Sequence, residues 1–224
     1  MTVTESGAHL DIICNAFACP IDVARVVLAR LTHKYYDARS TILWSDDSGR
    51  NVYLLFSGRA QAVTYSVEGH LVLIHVFEAG DIFGENAVLG STATGQDVVA
   101  TAAVEAGHCG AAGFVQLMES HACIALAVSR LLIERLGNTT RRMVEISTLS
   151  ATGRIHAELL RQARRSPNLA IAPPPVFSEF ALLVQSTRET VSRTINQLER
   201  RGIVRRDHER LTIVAPHRLE ELVI

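Results

Sequence analysis

The sequence predicts an α+β protein in which a β-rich N-terminal part is followed by a long helix and then by a C-terminal helix-turn-helix domain. Residues 40–112 contain short β-prone runs separated by turn residues such as Gly, Asp and Ser. Residues 114–149 contain no Pro and a single Gly, which is the composition of a helix. Residues 177–204 carry the spacing of small and apolar residues that a helix-turn-helix requires.

The β-rich segment is expected to form a small antiparallel sandwich or barrel, because its strands recur at intervals of roughly ten residues. Before it, residues 21–31 carry apolar side chains at helical spacing. Residues 1–20 show no clear period and are interpreted as a partly ordered leader. The runs predicted as strands are 41–44, 51–57, 62–66, 70–77 and 98–103.

The long helical segment carries a seam of apolar residues. Leu132, Leu136, Thr139, Met143 and Ile146 recur at spacings of 4, 3, 4 and 3 residues, which is the a/d pattern of a coiled coil over two heptads. The seam predicts a dimerisation helix. A helix that packs only on its own domain would show the same spacing, so that alternative stays open.

Composition limits the class of protein. Hydrophobic residues make up 48% of the chain and charged residues 20%, and no apolar run reaches the roughly 18–20 residues that span a bilayer. Because the N-terminus also lacks a basic segment, we expect a cytoplasmic protein without membrane association. No P-loop, nucleophile elbow or metalloprotease signature occurs, so an enzyme is not expected. The four cysteines form no CxxC pair, which is typical of reduced thiols.

Charge is distributed unevenly along the chain. Residues 153–210 contain eleven Arg, no Lys and six acidic residues, a net charge of +5, whereas the rest of the chain carries a net charge of −6. Residues 60–129 contain no Lys or Arg and seven acidic residues. A basic C-terminal part beside an acidic remainder is typical of a nucleic-acid-binding domain attached to another domain.

The helix-turn-helix pattern is specific in its spacing. Ala181 supplies the small residue where the two helices touch, residues 185–186 supply the turn, and Val191, ten positions after Ala181, supplies the apolar residue that fixes the second helix. Thr187 is suited to cap the second helix through its hydroxyl. Residues 203–214 are predicted to form two short strands, a β-wing.

The second helix presents polar side chains at its N-terminal end, where a recognition helix meets base edges. Arg188 can pair with guanine O6 and N7, and Glu189 can accept a hydrogen bond from cytosine N4. The predicted partner is therefore double-stranded DNA. The candidate contact residues are Ser178, Thr187, Arg188, Glu189, Thr190, Ser192, Arg193, Arg200, Arg205 and Arg206.

These residues resemble a known family. The run TRETVSR at 187–193 and the run LERRGI at 198–203 are similar to the recognition helix of the Crp–Fnr family of bacterial regulators. VYLLFSGR at 52–59 resembles the opening of the β-roll in that family, and GDIFGENAVL at 80–89 resembles its ligand-pocket turn. TGRI at 152–155 resembles its hinge.

The resemblance implies a jelly-roll-like β-roll (a double-stranded β-helix), a dimerisation helix and a winged helix-turn-helix. It also implies a homodimer on a palindromic DNA site, regulation by a small signal, and contact with RNA polymerase if the protein is an activator. On this basis the expected segments are the leader 1–20, the sensor 21–120, the dimerisation helix 121–151 and the DNA-binding domain 152–224.

The DNA-binding half departs from the family pattern at two places. Gln185 stands where a turn glycine is usual, and a left-handed backbone there would cost about 1 kcal/mol. Val176 and Phe177 stand where polar residues usually contact phosphate. We therefore expect phosphate contacts mainly from Ser178, Thr187, Arg200, Arg205, Arg206 and Arg210.

The ligand pocket implied by the resemblance is half retained. Gly84 and Glu85 match the family residues that meet the phosphate and ribose of a cyclic nucleotide, although a turn kept for folding would explain them equally well. Residues 96–97 are Gln-Asp where an Arg-Ser pair is usual, and residues 139–140 match the positions that touch the base. The candidate pocket residues are Gly84, Glu85, Asn86, Gln96, Asp97, Thr139 and Thr140.

Cyclic AMP is therefore a disfavoured effector, and the effector is unknown. The family arginine that neutralises the phosphate is missing, Asp97 would repel it, and residues 60–129 offer no other cation. An arginine from the second subunit, such as the partner's Arg135 or the partner's Arg142, could replace it.

A redox or gas sensor of the same family is the alternative function. Cys14, Cys19 and Cys109 offer three of the four ligands that an iron–sulfur cluster needs, and Cys123 would be a fourth only if the helix turned it inward. A haem held by a cysteine or by one of several histidines is the other form of this hypothesis. The candidate histidines are His75, His108 and His121.

Overall fold

The computed structural model describes residues 3–46, 50–69, 71–87 and 95–223. It divides into two compact units, residues 1–135 and residues 136–224. His70, at the start of one predicted strand, lies outside the described residues, as do Val88 and Leu89 at the end of the pocket motif.

Two antiparallel sheets form the body of the first unit. The first sheet has the strand order β1-β8-β3-β6 and the second has the order β2-β7-β4-β5. Registered pairs such as Tyr53 with His108, and Ala62 with Val98, fix the central strands of the two sheets. The strands are β1 Thr32–Tyr36, β2 Thr41–Leu43, β3 Asn51–Ser57, β4 Ala60–Tyr65, β5 Leu71–Phe77, β6 Ile82–Phe83, β7 Asp97–Ala100 and β8 Val104–Gly110.

Strand β3 is apolar throughout because both of its faces are buried. Tyr53 and Leu55 belong to the apolar core of the β-strands, together with residues of the second sheet. Val52, Leu54 and Phe56 point the other way, into a second core that helices share. Alternating side chains of one strand thus serve two cores, which explains an apolar run without the usual polar alternation.

Four helices belong to this part of the chain. A bend of 114° at His121, whose backbone is extended, separates the last two, so residues 114–149, which have helical composition, belong to two helices. The first three helices and the start of the fourth pack on the outer face of β3. They are α1 Val3–Phe17, α2 Ile21–Arg30, α3 Ala111–Ser120 and α4 Ala122–Thr148.

The prediction of a partly ordered leader at residues 1–20 was wrong. Residues 3–17 form α1, and Ile13 and Phe17 are completely buried in the core shared by the helices and β3. The helical face is short and is interrupted by polar residues, so its period is weak in the sequence. The apolar surface of β3 supplies the partner that makes the helix stable.

Strands β1 and β8 were missed, and the strand predicted at 98–103 ends earlier, at Ala100. Strand β1 reads Thr-His-Lys-Tyr-Tyr and β8 contains two glycines, so neither shows the alternation of a half-buried strand. All of β1 pairs with residues 104–108 of β8. Cross-strand partners, not local propensity, therefore define them.

The second unit is built around one apolar core. Ile155 and Leu159 of α5, Ile195 and Leu198 of α7, and Leu211 of the wing are completely or almost completely buried in it. The predicted wing is confirmed, and a short third strand joins its sheet in the order β10-β11-β9. The elements are α5 Ala151–Ala163, β9 Ala170–Ile171, α6 Phe177–Leu183, α7 Arg188–Arg200, β10 Val204–Arg206, β11 Leu211–Ile213 and α8 Pro216–Glu220.

The predicted fold class is confirmed: a jelly-roll-like β domain, a long helix and a winged helix-turn-helix in an α+β chain. Within the described residues, no single helix is both long and apolar enough to cross a membrane. Two bent helix pairs, α1 with α2 and α3 with α4, meet the length and composition test only when they are taken together.

Because Ile13 is buried in the core, Ile13→Ala should lower the free energy of unfolding by about 2–5 kcal/mol, since it leaves a cavity beneath α1. Ile21→Ala is the matched control, because Ile21 begins α2 and is nearly half exposed, and we expect it to cost less than about 1 kcal/mol. Urea unfolding of both variants measures the difference. Equal effects of the two substitutions would show that α1 does not contribute to the stability of the core.

Candidate nucleic-acid interface and ligand pocket

The apolar face of α7 sets the orientation of this helix. Val191, Ile195 and Leu198 are buried in the core of the second unit. Thr187 caps the helix as predicted, because its Oγ1 accepts a hydrogen bond from the backbone N–H of Thr190 at 3.1 Å. Burial of one face leaves the polar face turned to solvent.

The outward face of α7 is a polar surface with three arginines and one acid. Arg188, Glu189 and Arg193 are exposed, and Thr190 and Ser192 are half-buried. Asn196 and Gln197 extend this surface and were not among the sequence candidates, although their positions on the same helical face would have indicated them. A shallow depression on it is lined by Arg188, Glu189, Ser192, Arg193, Asn196, Gln197 and Arg200.

The turn before α7 is held by an arginine of α5. Gln185 has a φ of +49°, so the left-handed backbone expected for a turn glycine is present on a glutamine. The guanidinium of Arg154 donates hydrogen bonds to the carbonyl oxygens of Val184 and Gln185, each at 2.9 Å. It also donates to the carbonyl of Leu149 at 3.0 Å. In the sequence Arg154 is recognisable only as part of the hinge motif, and this contact with the turn was not predicted.

The wing arginines differ in their surroundings. Arg205 and Arg210 are exposed. Arg206 is half-buried: its side chain lies over the ring of Phe177 at 5.1 Å and contacts the Glu199 carboxylate at 3.6 Å. Arg206 therefore has intramolecular partners that compete with a phosphate, whereas the other two arginines extend into solvent.

The start of α6 is less polar than the family pattern. Val176 precedes the helix without a side-chain capping hydrogen bond and is exposed, and Phe177 packs against the core of the second unit. Ser178 is exposed on the first turn, where its hydroxyl remains a candidate phosphate contact.

The pocket turn is shaped by backbone contact. Gly84 is buried with a φ of +79°, and a Cβ there would lie 2.5 Å from the carbonyl oxygen of Asn51 on β3. Only glycine fits such an approach. The close approach to Asn51 is therefore sufficient to explain a glycine at position 84, without reference to a bound ligand.

Glu85 is buried and paired with an arginine of its own chain. Nη1 of Arg135, on α4, lies 2.5 Å from Oε1 of Glu85, and Nη2 donates to the carbonyl oxygen of Ile82. The same guanidinium lies 5.4 Å from the centre of the Phe77 ring. The sequence suggested only the partner's Arg135 or the partner's Arg142 as a cation for this pocket. The structure brings the arginine of the same chain beside Glu85.

The other pocket candidates lie on several elements, and Asn86 directly follows Glu85 in the pocket turn. Asp97 begins β7 in the second sheet, and its Oδ1 accepts a hydrogen bond from the backbone N–H of Ser45 at 2.7 Å. Gln96 and Asn86 are half-buried, and Thr139 and Thr140 are exposed on α4.

The predicted seam lies largely on the exposed side of α4. Leu136 and Met143 are 69% and 70% exposed, and Thr139 and Ile146 are exposed as well. Leu132 is half-buried against the helical core of the first unit. The helix carries further exposed apolar side chains that the heptad pattern missed, namely Leu126, Ile133 and Val144.

The cysteines lie in an apolar environment. Burial raises the pKa of the Cys19 thiol to about 11, and the neighbouring Cys14 and Cys123 raise it further. Burial also raises the pKa of the Cys109 thiol to about 11. Thiols with raised pKa values stay protonated at neutral pH and react slowly. Among the described residues, no three cysteine sulfurs lie within 4.8 Å of one another.

The candidate haem histidines are dispersed over different elements. His75 packs its ring 4.8 Å from that of Phe77 on β5. His108 lies on β8, 5.5 Å from the ring of Tyr53, and burial lowers its pKa. His121 occupies the bend between α3 and α4. No described arrangement singles out one of them as a haem ligand.

Two family models match the chain. A cyclic nucleotide-binding domain matches residues 33–121, and a Crp-like helix-turn-helix domain matches residues 153–222. The chain is 25% identical over 187 residues to the cAMP-activated global transcriptional regulator Vfr of Pseudomonas aeruginosa, covering 80% of this chain and 87% of Vfr. It is 27% identical over 181 residues to the corresponding regulator CRP of Pasteurella multocida, covering 77% and 84%.

Solved structures share the fold. A CooA mutant from Carboxydothermus hydrogenoformans superposes with a TM-score of 0.78 at 21% identity, over 89% of this chain and 90% of CooA. FixK2 from Bradyrhizobium japonicum superposes with a TM-score of 0.72 at 19% identity, over 86% and 96%. At these identities the superpositions establish a common architecture and not a common ligand.

Proposed function

The chain belongs to the Crp–Fnr family of transcription regulators, and from this premise we propose that it binds a two-fold symmetric DNA site as a homodimer. The observation that carries the proposal is the outward face of α7, on which Arg188, Glu189 and Arg193 are exposed together beside the N-terminus of the helix.

We assign different contacts to different parts of this surface. Arg188, Glu189 and Arg193 are assigned to base edges in the major groove, because planar guanidinium and carboxylate groups match the donor and acceptor patterns there. Phosphate contacts are assigned to side chains around the recognition helix, since such contacts position the protein without reading sequence. These are Ser178, Thr187, Thr190, Ser192, Arg200, Arg205 and Arg210, with Arg206 in support.

Arg188→Ala will weaken binding to the preferred site by about 1–3 kcal/mol, a factor of roughly 5–150, and will relax specificity at one base pair. Arg218→Ala is the matched control, because Arg218 is exposed on α8. The substitution removes the same charge at a position outside α7. Selection of binding sites from random DNA, followed by titration of the selected site, measures both effects.

In the same selection, the wild-type protein should return two half-sites centred about one helical turn apart. A wild-type protein that enriches no sequence, or an Arg218→Ala variant that loses as much affinity as Arg188→Ala, would contradict the assigned interface.

The proposed dimer forms along α4. A helix with several exposed apolar side chains is unfavourable in water unless another surface covers them. A second copy of α4 would cover Leu136, Met143 and Ile146 at coiled-coil spacing. A homodimer also places two recognition helices in the two-fold arrangement that a palindromic site requires.

Leu136→Glu places a carboxylate in this interface, where an unpaired buried charge costs several kcal/mol. Sedimentation analysis should show a monomer, and DNA affinity should fall because a single half-site is held weakly. Val214→Glu, which changes another exposed apolar residue, should remain dimeric. If Leu136→Glu also sediments as a dimer, the subunits meet through a different surface.

We propose that the pocket does not bind cyclic AMP in the manner of its cAMP-activated relatives. The position of the phosphate-binding arginine holds Gln96, and Asp97 adds a negative charge beside it. The lost charge-assisted bond is worth about 1.5–3 kcal/mol. The repulsion is on the order of 4 kcal/mol at about 4 Å and an effective dielectric of 20. Half of that repulsion, added to the lost bond, weakens binding by about a hundredfold or more.

The Glu85–Arg135 pair supports the same proposal. A ribose hydroxyl that approached Glu85 would share its carboxylate with a guanidinium already 2.5 Å away. Arg135 would have to leave Glu85 and the Ile82 carbonyl in order to neutralise a phosphate. The effector is then a ligand of different chemistry, or the protein binds DNA without one.

Isothermal titration with cyclic AMP and cyclic GMP should therefore show no micromolar binding. The variant Gln96→Arg with Asp97→Ser should gain or strengthen binding, since it restores the cation and removes the repulsive charge. Micromolar binding by the wild type that Glu85→Ala abolishes would show that the pocket is functional as it stands.

Each segment of the chain has its own role in the proposed function. Residues 21–120 sense the signal, with α1 added to them, residues 121–151 dimerise, and residues 152–224 bind DNA. RNA polymerase is the further partner if the protein activates transcription. No catalytic turnover is part of the proposed function.

A further inference from the structure

A polar cluster lies under the N-terminal helix, away from the ligand pocket. It combines His9 of α1, His33 of β1 and Glu105 of β8. Nε2 of His9 and Nδ1 of His33 each lie 3.2 Å from Oε1 of Glu105. Three elements that are distant in the sequence thus direct three potential metal ligands to one point. Among the described residues, this cluster is the one group of three or more His, Cys, Asp or Glu side chains whose potential ligand atoms all lie within 4.8 Å of one another.

The cluster is shielded from water and its rings are fixed. The side chains of His9, Glu105 and His33 are 7%, 13% and 19% exposed. Phe56 of β3 stacks on His33 with an interplanar angle of 6° and lies 4.2 Å from the ring of His9. The imidazoles therefore hold their orientation toward Glu105 without having to be ordered by a ligand, which is the preorganisation that a binding site needs.

We propose that His9, His33 and Glu105 bind a divalent first-row transition metal ion, with Zn²⁺ as the reference ion. Two imidazoles and one carboxylate are a common set of protein ligands for Zn²⁺, which leaves a fourth position for water or another ligand. With bonds of about 2.0–2.2 Å, neighbouring ligand atoms of a tetrahedral site are separated by about 3.3–3.6 Å. The observed separations of 3.2 Å need only a small expansion to admit the ion.

The charges in the cluster favour a bound cation. Oε1 of Glu105 lies 3.2 Å from Nε2 of His9 and from Nδ1 of His33, and it also accepts a hydrogen bond from the Tyr35 hydroxyl at 3.2 Å. A buried carboxylate without a countercharge is unfavourable. A divalent ion would neutralise it and leave both imidazoles neutral, as metal ligands must be.

His9 supplies an independent observation. It is 6% exposed, and its Nδ1 has no hydrogen-bond partner. A buried imidazole that is only half satisfied destabilises the fold compared with an apolar residue of similar size, so its presence requires a reason. The unpartnered atom is Nδ1, whereas the proposed ligand atom is Nε2, so a bound metal would account for the burial of this imidazole but would leave Nδ1 itself without a partner. The bound ion would fasten α1 to the β1–β8 edge of the sheet, and metal binding would therefore stabilise the N-terminal helix.

The test uses the full-length protein after removal of metals with a chelator. Titration with Zn²⁺ should show one site that Glu105→Gln and His33→Gln each weaken by at least about 10–100-fold, the size of effect seen when only supporting groups around a metal are changed. Glu119→Gln and His217→Ala are matched controls, because both residues are exposed and lie outside the cluster. They should bind Zn²⁺ as the wild type does.

Co²⁺ supplies a second readout that distinguishes this site from the cysteines. Visible bands of four-coordinate Co²⁺ without sulfur charge-transfer absorption are expected, and Glu105→Gln should abolish them. Thermal unfolding followed by circular dichroism should show that Zn²⁺ raises the melting temperature of the wild type and not of Glu105→Gln. If one variant fails to fold, the other decides the question.

Two results would overturn the proposal. One is Zn²⁺ affinity in folded Glu105→Gln or His33→Gln equal to that of the controls. The other is Co²⁺ absorption dominated by sulfur ligands and lost on Cys14→Ser. Either would leave the cluster as a hydrogen-bonded support for α1.

Discussion

The amphipathic packing of α7 is the constraint on which the DNA-binding unit depends. Three apolar side chains, Val191, Ile195 and Leu198, anchor the helix in the core. Because they fix its rotation about its own axis, they also decide that Arg188 and Arg193 face solvent. Arg154 secures the preceding turn through the Val184 and Gln185 carbonyls. A recognition surface is thus produced by burial on the opposite side, and the polar residues need little else to hold them in place.

In the first unit, an ion pair connects the pocket turn to the long helix. Gly84 brings its backbone against β3, which places Glu85 in a buried position where a lone carboxylate is unfavourable. Arg135 of α4 satisfies it. A ligand that competes for either member of this pair would act directly on the helix that carries the proposed dimer seam. In the proposed dimer, this pair would link the pocket turn to the interface helix without the phosphate chemistry of a cyclic nucleotide.

The N-terminal helix shows the limit of predicting structure from local periodicity in the sequence. The α2 helix and the recognition helix have strong periods and were predicted within a residue or two. The α1 helix was interpreted as a leader because its apolar face is short, yet Ile13 and Phe17 complete a core whose other side is β3. Strand β1 is similar: its polar sequence becomes a strand by pairing with β8. Both elements depend on a partner surface that is distant along the chain, so no local period could reveal them.

The sequence by itself determined the order of the segments and the winged helix-turn-helix. Each of these depends on residues within a few turns of one another, where periodicity and backbone sterics act directly. The tertiary structure alone decided that Arg135 pairs with Glu85 across 50 residues. It also decided that Arg154 holds the turn before α7, and that His9 and His33 meet at Glu105. Such contacts join polar side chains whose spacing in the chain is arbitrary, because folding of the apolar cores, and not the polar residues themselves, brings them together.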